Sequence, residues 1–495
     1  MTADPLQLIG LVASCGAAAA AVLAPGRRWR TTAMAVALIA APAVVIGDVW
    51  DEPRIVDARD SPGVLAAAVV AGAGAVAIAA AMIRRWEWVF PVLVFTVIGL
   101  RLPVRIGGET ANLLIPLYLV IAAGFAATLW GRHRGEGSPA TAPAEPAAVV
   151  WLRRALAATL VLYAIQASYS EDVSNAIENA GFFLVPFAIL FCQLAELRWN
   201  RRMLFAVMTA VGVVGVVLAA IAIGQYAARD LFLNTQLLDS NQLKPYFRVN
   251  ALFHDPNVLG RYLALGVVGA GAAVAWSRGG RAAMFATAAG VFMLAGLVLS
   301  FSITSVVALL AGLGVVAVLR YGLRGGVAAV IAVLITGVVF SVSGGADRDD
   351  VGPARGFDEE TSGRGALLEG GLDLIEEKPV GGWGSGSFGR AFFDQIRETE
   401  TTASHSEPIT VAAEQGILGT ALYVALLLAM LWVLFGAGAT GSAGRAAAAG
   451  GIVAMIVHSL GYAGFLIDPA TWALLALAVA LRSGGEAPAD VRVPA

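Results

Sequence analysis

A chain of 495 residues that is 58% hydrophobic and only 14% charged has a mean hydropathy of +0.77. Soluble domains carry about 25% charged residues, so a water-soluble globule is excluded and lipid is the main solvent. The formal net charge of −2 says little about partners, because in such a chain the placement of charge matters more than its sum.

The N-terminal MTADPLQLIG has no basic stretch before its apolar run, so it reads as a first span rather than a cleaved signal. Apolar runs follow near 6–24, 31–49, 63–83, 89–100, 112–130, 155–169, 177–194 and 203–224. Others lie near 258–276, 282–300, 304–319, 327–342, 408–435, 446–466 and 470–481. A helix of about 20 residues crosses the hydrocarbon core, so about fifteen spans are expected, or thirteen to fifteen once short runs are merged. Cys15 and Cys192 sit inside apolar runs and offer no disulfide framework, CxxC pair or metal-ligand cluster. The fold class that follows is all-α, a polytopic transmembrane helical bundle.

Orientation comes from arginine. GRRWR (26–30), RRWEW (84–88), GRHRG (131–135), LRWNRR (197–202), SRGGR (277–281) and RYGLR (320–324) fall on one side, which the positive-inside rule makes cytoplasmic. A Pro/Ala-rich linker, GEGSPATAPAEPAA (135–148), lies on that side. The opposite side receives the acidic loop DVWDEPRIVDARD (48–60) and two larger loops, 225–257 and 343–407.

Irregular backbone is not tolerated against lipid, so these loops sit at the surface or line a cavity. In KPYFRVNALFHDPNVLGRYLALG, Arg248, His254, Asp255, Asn257 and Arg261 crowd the start of a span. Arg261 lies just inside it, where a charge requires a partner. The Asp-Pro-Asn step also suits a turn that caps the following helix. In the second loop, Leu367, Leu368, Leu372 and Ile375 recur at helical spacing and predict an amphipathic helix over 364–377, opened by Arg364 and ended by Pro379. An arginine there would meet water or a lipid headgroup.

His405, one of four histidines, stands in TTASHSEPITVAAEQGILGTALY (401–423), where a polar loop runs into an apolar span. A histidine at that boundary serves as a hydrogen-bonded anchor or as a base. Ser404 or Ser406 is placed to cap the next helix, and Pro408 suits its first turn. The N-terminal end of that helix is a place for phosphate. Gly416 and Gly419 would let a neighbouring helix pack closely, and Glu414 is read as a helix–helix contact.

These segments resemble the O-antigen ligase and polymerase superfamily of bacterial membrane glycosyltransferases. His405-Ser406, a nine-residue gap and Gly416-Ile417-Leu418-Gly419 are similar to the ligase signature of His, a small polar residue and a spaced Gly-x-x-Gly. RVNALFHDPN (248–257) is similar to the family's Arg-containing segment ending in Pro-Asn. SGRGALLEGGLDLIEEKPVGGWGSGSF (362–388) resembles its outer-loop segment of Arg, helix, Pro and Gly-x-Gly. The resemblance runs over roughly 203–481.

It implies a GT-C-like bundle with N-terminal helices over 1–202, a ligase- or polymerase-like core over 203–481 carrying both extracytoplasmic loops, and a cytoplasmic tail, 482–495. The implied activity is inverting transfer of a glycan from a polyprenyl-diphosphate carrier to an acceptor hydroxyl outside the cytoplasmic membrane. No nucleotide sugar, cofactor or metal is implied. The partners would be the lipid-linked donor, a glycan, lipid or wall-polymer acceptor and membrane lipids, with no nucleic acid. Arg248 and Arg364 would hold the diphosphate and stabilise its charge as it leaves, with Arg261 a third candidate. His405, neutral, would take the acceptor proton. Pro256, Asn257, Ser406, Gly416 and Gly419 would support the site.

Two departures matter. The hairpin turn in LSFSITSVVAL (299–309) lacks the arginine of the family's Ser-Arg pair. Arg248 to Gly260 misses the polymerase spacing of Arg, ten residues, Gly by one, and Arg364 does not fit it, which leans toward a ligase. A polymerase joining lipid-linked repeat units is the alternative within the family. From another class, a flippase would place its polar groups near the bilayer midplane. A structural scaffold would leave the three motifs unexplained.

Overall fold

The computed structural model describes residues 5–50, 56, 60–100, 102–106, 109–132, 145–231, 237–238, 241, 246–277, 279–331, 364–396, 404–436 and 442–483. Several expectations therefore fall wholly or largely outside the described residues: the acidic loop 48–60, the linker 135–148, the span 327–342 beyond residue 331, the outer loop up to 363 and the tail beyond 483.

The first half of the chain forms α1 (Pro5–Leu23), α2 (Arg27–Asp48), α3 (Pro62–Arg85), α4 (Val89–Ile98), β1 (Leu102–Ile106), β2 (Glu109–Leu113), α5 (Ile115–Arg132), α6 (Ala147–Ala167), α7 (Val173–Ala195) and α8 (Arg201–Ala228). The second half forms α9 (Pro256–Trp276), α10 (Arg281–Leu299), α11 (Ile303–Tyr321), α12 (Arg364–Glu377), α13 (Phe388–Ile396), α14 (Glu407–Phe435), α15 (Ala443–Ser459) and α16 (Pro469–Ser483). Among the described residues, ten helices are long and apolar enough to cross a membrane, and four shorter apolar ones accompany them. The chain is a multi-pass helical bundle.

Some boundaries differ from expectation for physical reasons. The run expected at 155–169 starts at Ala147, because Arg153 is buried and does not end the span. Its Nη1 donates to the Val22 carbonyl at 3.1 Å and its Nε to Glu145 at 3.0 Å. The run expected at 112–130 loses its first residues to an antiparallel β1–β2 hairpin, with Leu102 opposite Leu113, a local addition to the helical fold. In α7, residues Asn179–Leu184 form a π turn just before Pro186, which has no N–H to give the helix. The run expected at 446–466 ends as a helix at Ser459, and residues 460–468 form an irregular loop.

One apolar core runs from Leu11 in α1 to Val479 in α16. α1 packs on α2 and α6, α6 on α14, and α7 on α16, so the first helices and the last share that core. α11 and α15 approach so closely that a β-carbon on Gly312 or on Gly450 would meet the other's backbone oxygen.

The two ends of the bundle are held differently. At one end, arginines donate to carbonyls at helix C-termini: Arg320 to Ala275 at 2.7 Å, Arg445 to Leu481 at 2.6 Å and Arg30 to Ala21 at 3.2 Å. At the other end, Asp172 caps α7 and Asp255 caps α9, while Asp468 accepts from the Ala470 N–H at the start of α16. The residues singled out in the sequence lie at this second end.

Candidate active site

Arg248 sits in the irregular segment before α9. The Asn241 side chain grips its backbone, accepting from the Arg248 N–H at 3.1 Å and donating to its carbonyl at 2.9 Å. The guanidinium then reaches the α10–α11 turn, where Nε donates to the Ser300 carbonyl at 3.1 Å and Nη2 lies 3.4 Å from Asn257 Oδ1. The turn that has no arginine of its own thus receives one from another segment.

Asn257 is buried in the first turn of α9, and its Oδ1 also accepts from the Ser302 hydroxyl at 2.8 Å. Ser302 caps α11, and Ser305 one turn on lies 3.1 Å from Nε2 of the buried His458. Between Ser300 and Ser302, Phe301 has a φ of 48°, a rare conformation for a bulky L-residue, and stacks its ring on Tyr246 at 4.9 Å.

Asp255 takes the capping role. Its Oδ1 accepts from the Asn257 N–H at 2.6 Å, while Oδ2 accepts from the Tyr462 hydroxyl at 3.2 Å. Pro256 occupies the first turn and His254 is exposed. Arg261, one helical turn beyond Asn257 on the same face, has the partner its position demands, with Asp468 Oδ2 at 2.6 Å from Nη2 and both side chains under 10% exposed. Asp468 thereby serves two elements at once, capping α16 and pairing with α9.

His405 is half-buried in a left-handed turn, with a φ of 59°. Ser404 pins that turn, its hydroxyl donating to the Ser406 carbonyl at 2.7 Å and accepting from the Ser406 N–H at 3.1 Å. Ser406 occupies the N-cap position of α14 with extended backbone, but its side chain makes no capping bond. The expected hydroxyl cap of α14 is therefore absent at Ser406, and the Ser404 hydroxyl bonds the Ser406 backbone and the Thr410 hydroxyl. The first-turn acid Glu407 turns to the loop 460–468 and accepts from the N–H groups of Gly464 at 2.6 Å and Phe465 at 3.2 Å. From that loop the Tyr462 ring comes to 6.0 Å of the His405 ring and 5.7 Å of the His458 ring, with the Arg261 Cζ 5.7 Å from its centroid.

The Gly-x-x-Gly segment does other work than the helix packing expected of it. At Gly416 the helix breaks, with φ 61° and ψ −158°. A β-carbon there would run into the Val380 carbonyl, and one at Gly382 into the Glu414 carbonyl, so two backbones cross where side chains do not fit. The space beside Gly419 is filled by the Gln415 side chain of the same helix. Glu414 ties α14 to the outer loop and to the start of α13, its carboxylate accepting from the N–H groups of Gly386 at 2.9 Å and Phe388 at 3.1 Å. Backbone bonds complete the splice, Trp383 N–H to Ala413 at 3.0 Å, Gly384 N–H to Glu414 at 2.8 Å and Ile417 N–H to Pro379 at 3.0 Å.

α12 forms over the expected residues and is tied to this splice. Its buried face carries Leu367, Leu374 and Ile375 against Trp383, Phe388 and Phe392, while Leu368 and Leu372 are exposed. The expected stripe of four is thus divided, because the turn after Pro379 folds back on only one side of the helix. Arg364 opens α12, and its side chain lies outside what is described.

Tyr462 and His458 were hidden from sequence reasoning inside a long apolar run, and Asp468 in the short gap that follows it. One signal could have marked the loop: LIDPATW repeats the Asp-Pro helix start of FHDPNVL, and two glycines, Gly461 and Gly464, interrupt the run just before it. Among the described residues no group of three or more His, Cys, Asp or Glu is arranged to hold a metal ion.

Residues 288–424, roughly a quarter of the chain, match the protein family described as O-antigen ligase. That stretch holds the α10–α11 turn, α12, the glycine splice and His405, while Arg248, Arg261, His458 and Tyr462 lie outside it. No curated protein matches the chain.

Proposed function

We propose that this chain is a membrane glycosyltransferase of the ligase type, acting at the extracytoplasmic face of the cytoplasmic membrane. It moves a glycan from a polyprenyl-diphosphate carrier to an acceptor hydroxyl. The observation that carries the reading is that His405, inside the family-matched stretch, shares one aromatic neighbour, Tyr462, with the segment bearing Arg248, Asn257 and Arg261. The arginine-rich opposite end supports the orientation.

The neutral His405 imidazole takes the proton of the acceptor hydroxyl as that oxygen bonds to the anomeric carbon. The bond from that carbon to the diphosphate oxygen breaks on the opposite face, inverting the centre, and the diphosphate leaves with the electron pair. Arg248 and Arg364 hold the developing charge as guanidinium groups that stay protonated. Arg261 is satisfied by Asp468, so in this mechanism it braces α9 and lends longer-range positive charge rather than a direct phosphate contact. No step requires a metal or nucleotide sugar.

The test is to incubate the purified protein, in lipid nanodiscs, with a polyprenyl-diphosphate glycan and candidate acceptors. Polyprenyl diphosphate should be released with a new glycoside of inverted configuration, and His405→Ala should lower the rate by about 10²–10⁴-fold. Undiminished transfer in His405→Ala would sink the base assignment. Product formed only with a second lipid-linked glycan would make the enzyme a polymerase. Donor crossing vesicle membranes without turnover would make the chain a transporter.

A further inference from the structure

We infer that Tyr462 is a positioning residue for His405, holding the imidazole in one orientation at the site while Asp255 holds Tyr462. The inference rests on the reading of His405 as the base.

Four contacts converge on this one side chain. Its ring centroid lies 6.0 Å from that of the His405 ring, tilted at 49°, and 5.7 Å from that of the His458 ring, edge-on at 62°, and Arg261 Cζ lies 5.7 Å from its centroid. Its hydroxyl donates to Asp255 Oδ2 at 3.2 Å, while the other oxygen of Asp255 caps α9. A tyrosine serving only as an interfacial anchor would point its hydroxyl at water or headgroups. This one spends it on a carboxylate fixed by a helix start.

The loop that carries Tyr462 is anchored on both sides. Glu407, two residues after His405, holds the N–H groups of Gly464 and Phe465. Asp468 pairs with Arg261, and the Trp472 indole donates to the Leu466 carbonyl at 2.7 Å. Tyr462 therefore moves with both α9 and the start of α14, and it registers one against the other. The left-handed backbone at His405, clamped by Ser404, fixes the direction in which its side chain leaves the chain. The ring's own orientation is left to its neighbours, and Tyr462 is the aromatic wall among them. A general base acts only within hydrogen-bond reach of its proton, and a misplacement of about 1 Å costs about 10²-fold, so a wall of this kind has kinetic weight.

Two variants separate the ring from its hydroxyl. Tyr462→Phe keeps the wall and loses the bond to Asp255, and kcat should fall about 3–10-fold. Tyr462→Leu loses both, and kcat should fall about 10–100-fold with donor KM within about threefold of wild type. The second readout needs no turnover. With ¹⁵N-labelled histidine in nanodiscs, the chain gives signals from four imidazoles. The His405 signal is identified by its loss in His405→Gln. It should report a single tautomer in the wild type and Tyr462→Phe, and an averaged one in Tyr462→Leu. An unchanged His405 signal in Tyr462→Leu overturns the proposal, as does a kcat equal to wild type in an active protein. If the wild type transfers no glycan at all, the functional reading falls, and the imidazole signal alone decides whether Tyr462 orients His405.

Discussion

The two ends of the bundle solve the same problem with opposite charges. Helix ends leave N–H and C=O groups without partners inside the helix. At the arginine-bearing end, long cationic side chains reach the last carbonyls of α1, α9 and α16, and the helix starts there are capped by neutral groups such as Asn200 and Ser442. At the other end Asp172, Asp255 and Asp468 meet helix N-termini, while Glu407 and Glu414 reach N–H groups of neighbouring loops. Both choices complement the helix dipole. They differ in consequence, because the acidic end buries Asp468 and Glu414 between elements and half-buries Asp172, Asp255 and Glu407, whereas at the arginine end Arg153 is buried, Arg30 and Arg445 are half-buried and Arg320 is exposed. The non-glycine residues of positive φ among those described, Arg229, Ala251, Phe301 and His405, also lie at the acidic end. Strain and obligate pairing collect where the candidate site is.

That contrast is easiest to break at Asp468. Asp468→Ala would strand a buried Arg261 and should cost about 3–5 kcal/mol, read as a large fall in melting temperature in detergent. The double variant Asp468→Leu with Arg261→Met should recover most of it. Next comes Glu414→Ala, which leaves the N–H groups of Gly386 and Phe388 buried without their acceptor. At about 1–3 kcal/mol for each orphaned group, it should loosen 379–388 and expose that loop to protease. Gly416→Ala forces a β-carbon into a left-handed position against the Val380 carbonyl and should cost about 1–3 kcal/mol in the same melt. The smallest effect should come from the opposite end, where Arg320→Met removes an exposed arginine from the Ala275 carbonyl for less than about 1 kcal/mol. An Arg320→Met melt as damaged as that of Asp468→Ala would erase the distinction between the ends.

Sequence reasoning served the helices better than the places between them. Long apolar runs such as 203–224 and 282–300 were legible because a bilayer demands them and few other structures need them. Arg153 misled it, since hydropathy counts a charge as an end of a span and has no means of seeing Glu145 and the Val22 carbonyl waiting for it. The motif around His405 was legible as a polar boundary, but the break at Gly416 was not, because a helix-friendly sequence continues through it and only the crossing of the 379–388 backbone imposes the left-handed turn.

The amino-acid sequence by itself determined that this chain crosses a membrane many times, that its arginines gather on one side, and that His405, Arg248 and Asn257 stand at the other. These follow from local composition, which lipid reads directly. Only the tertiary structure decided which of them meet. Arg248 reaches the α10–α11 turn across 52 positions of chain, and Tyr462 bonds Asp255 across 207, distances over which no local pattern carries information. Such pairings are set by how helices stack, and stacking depends on the whole buried core at once.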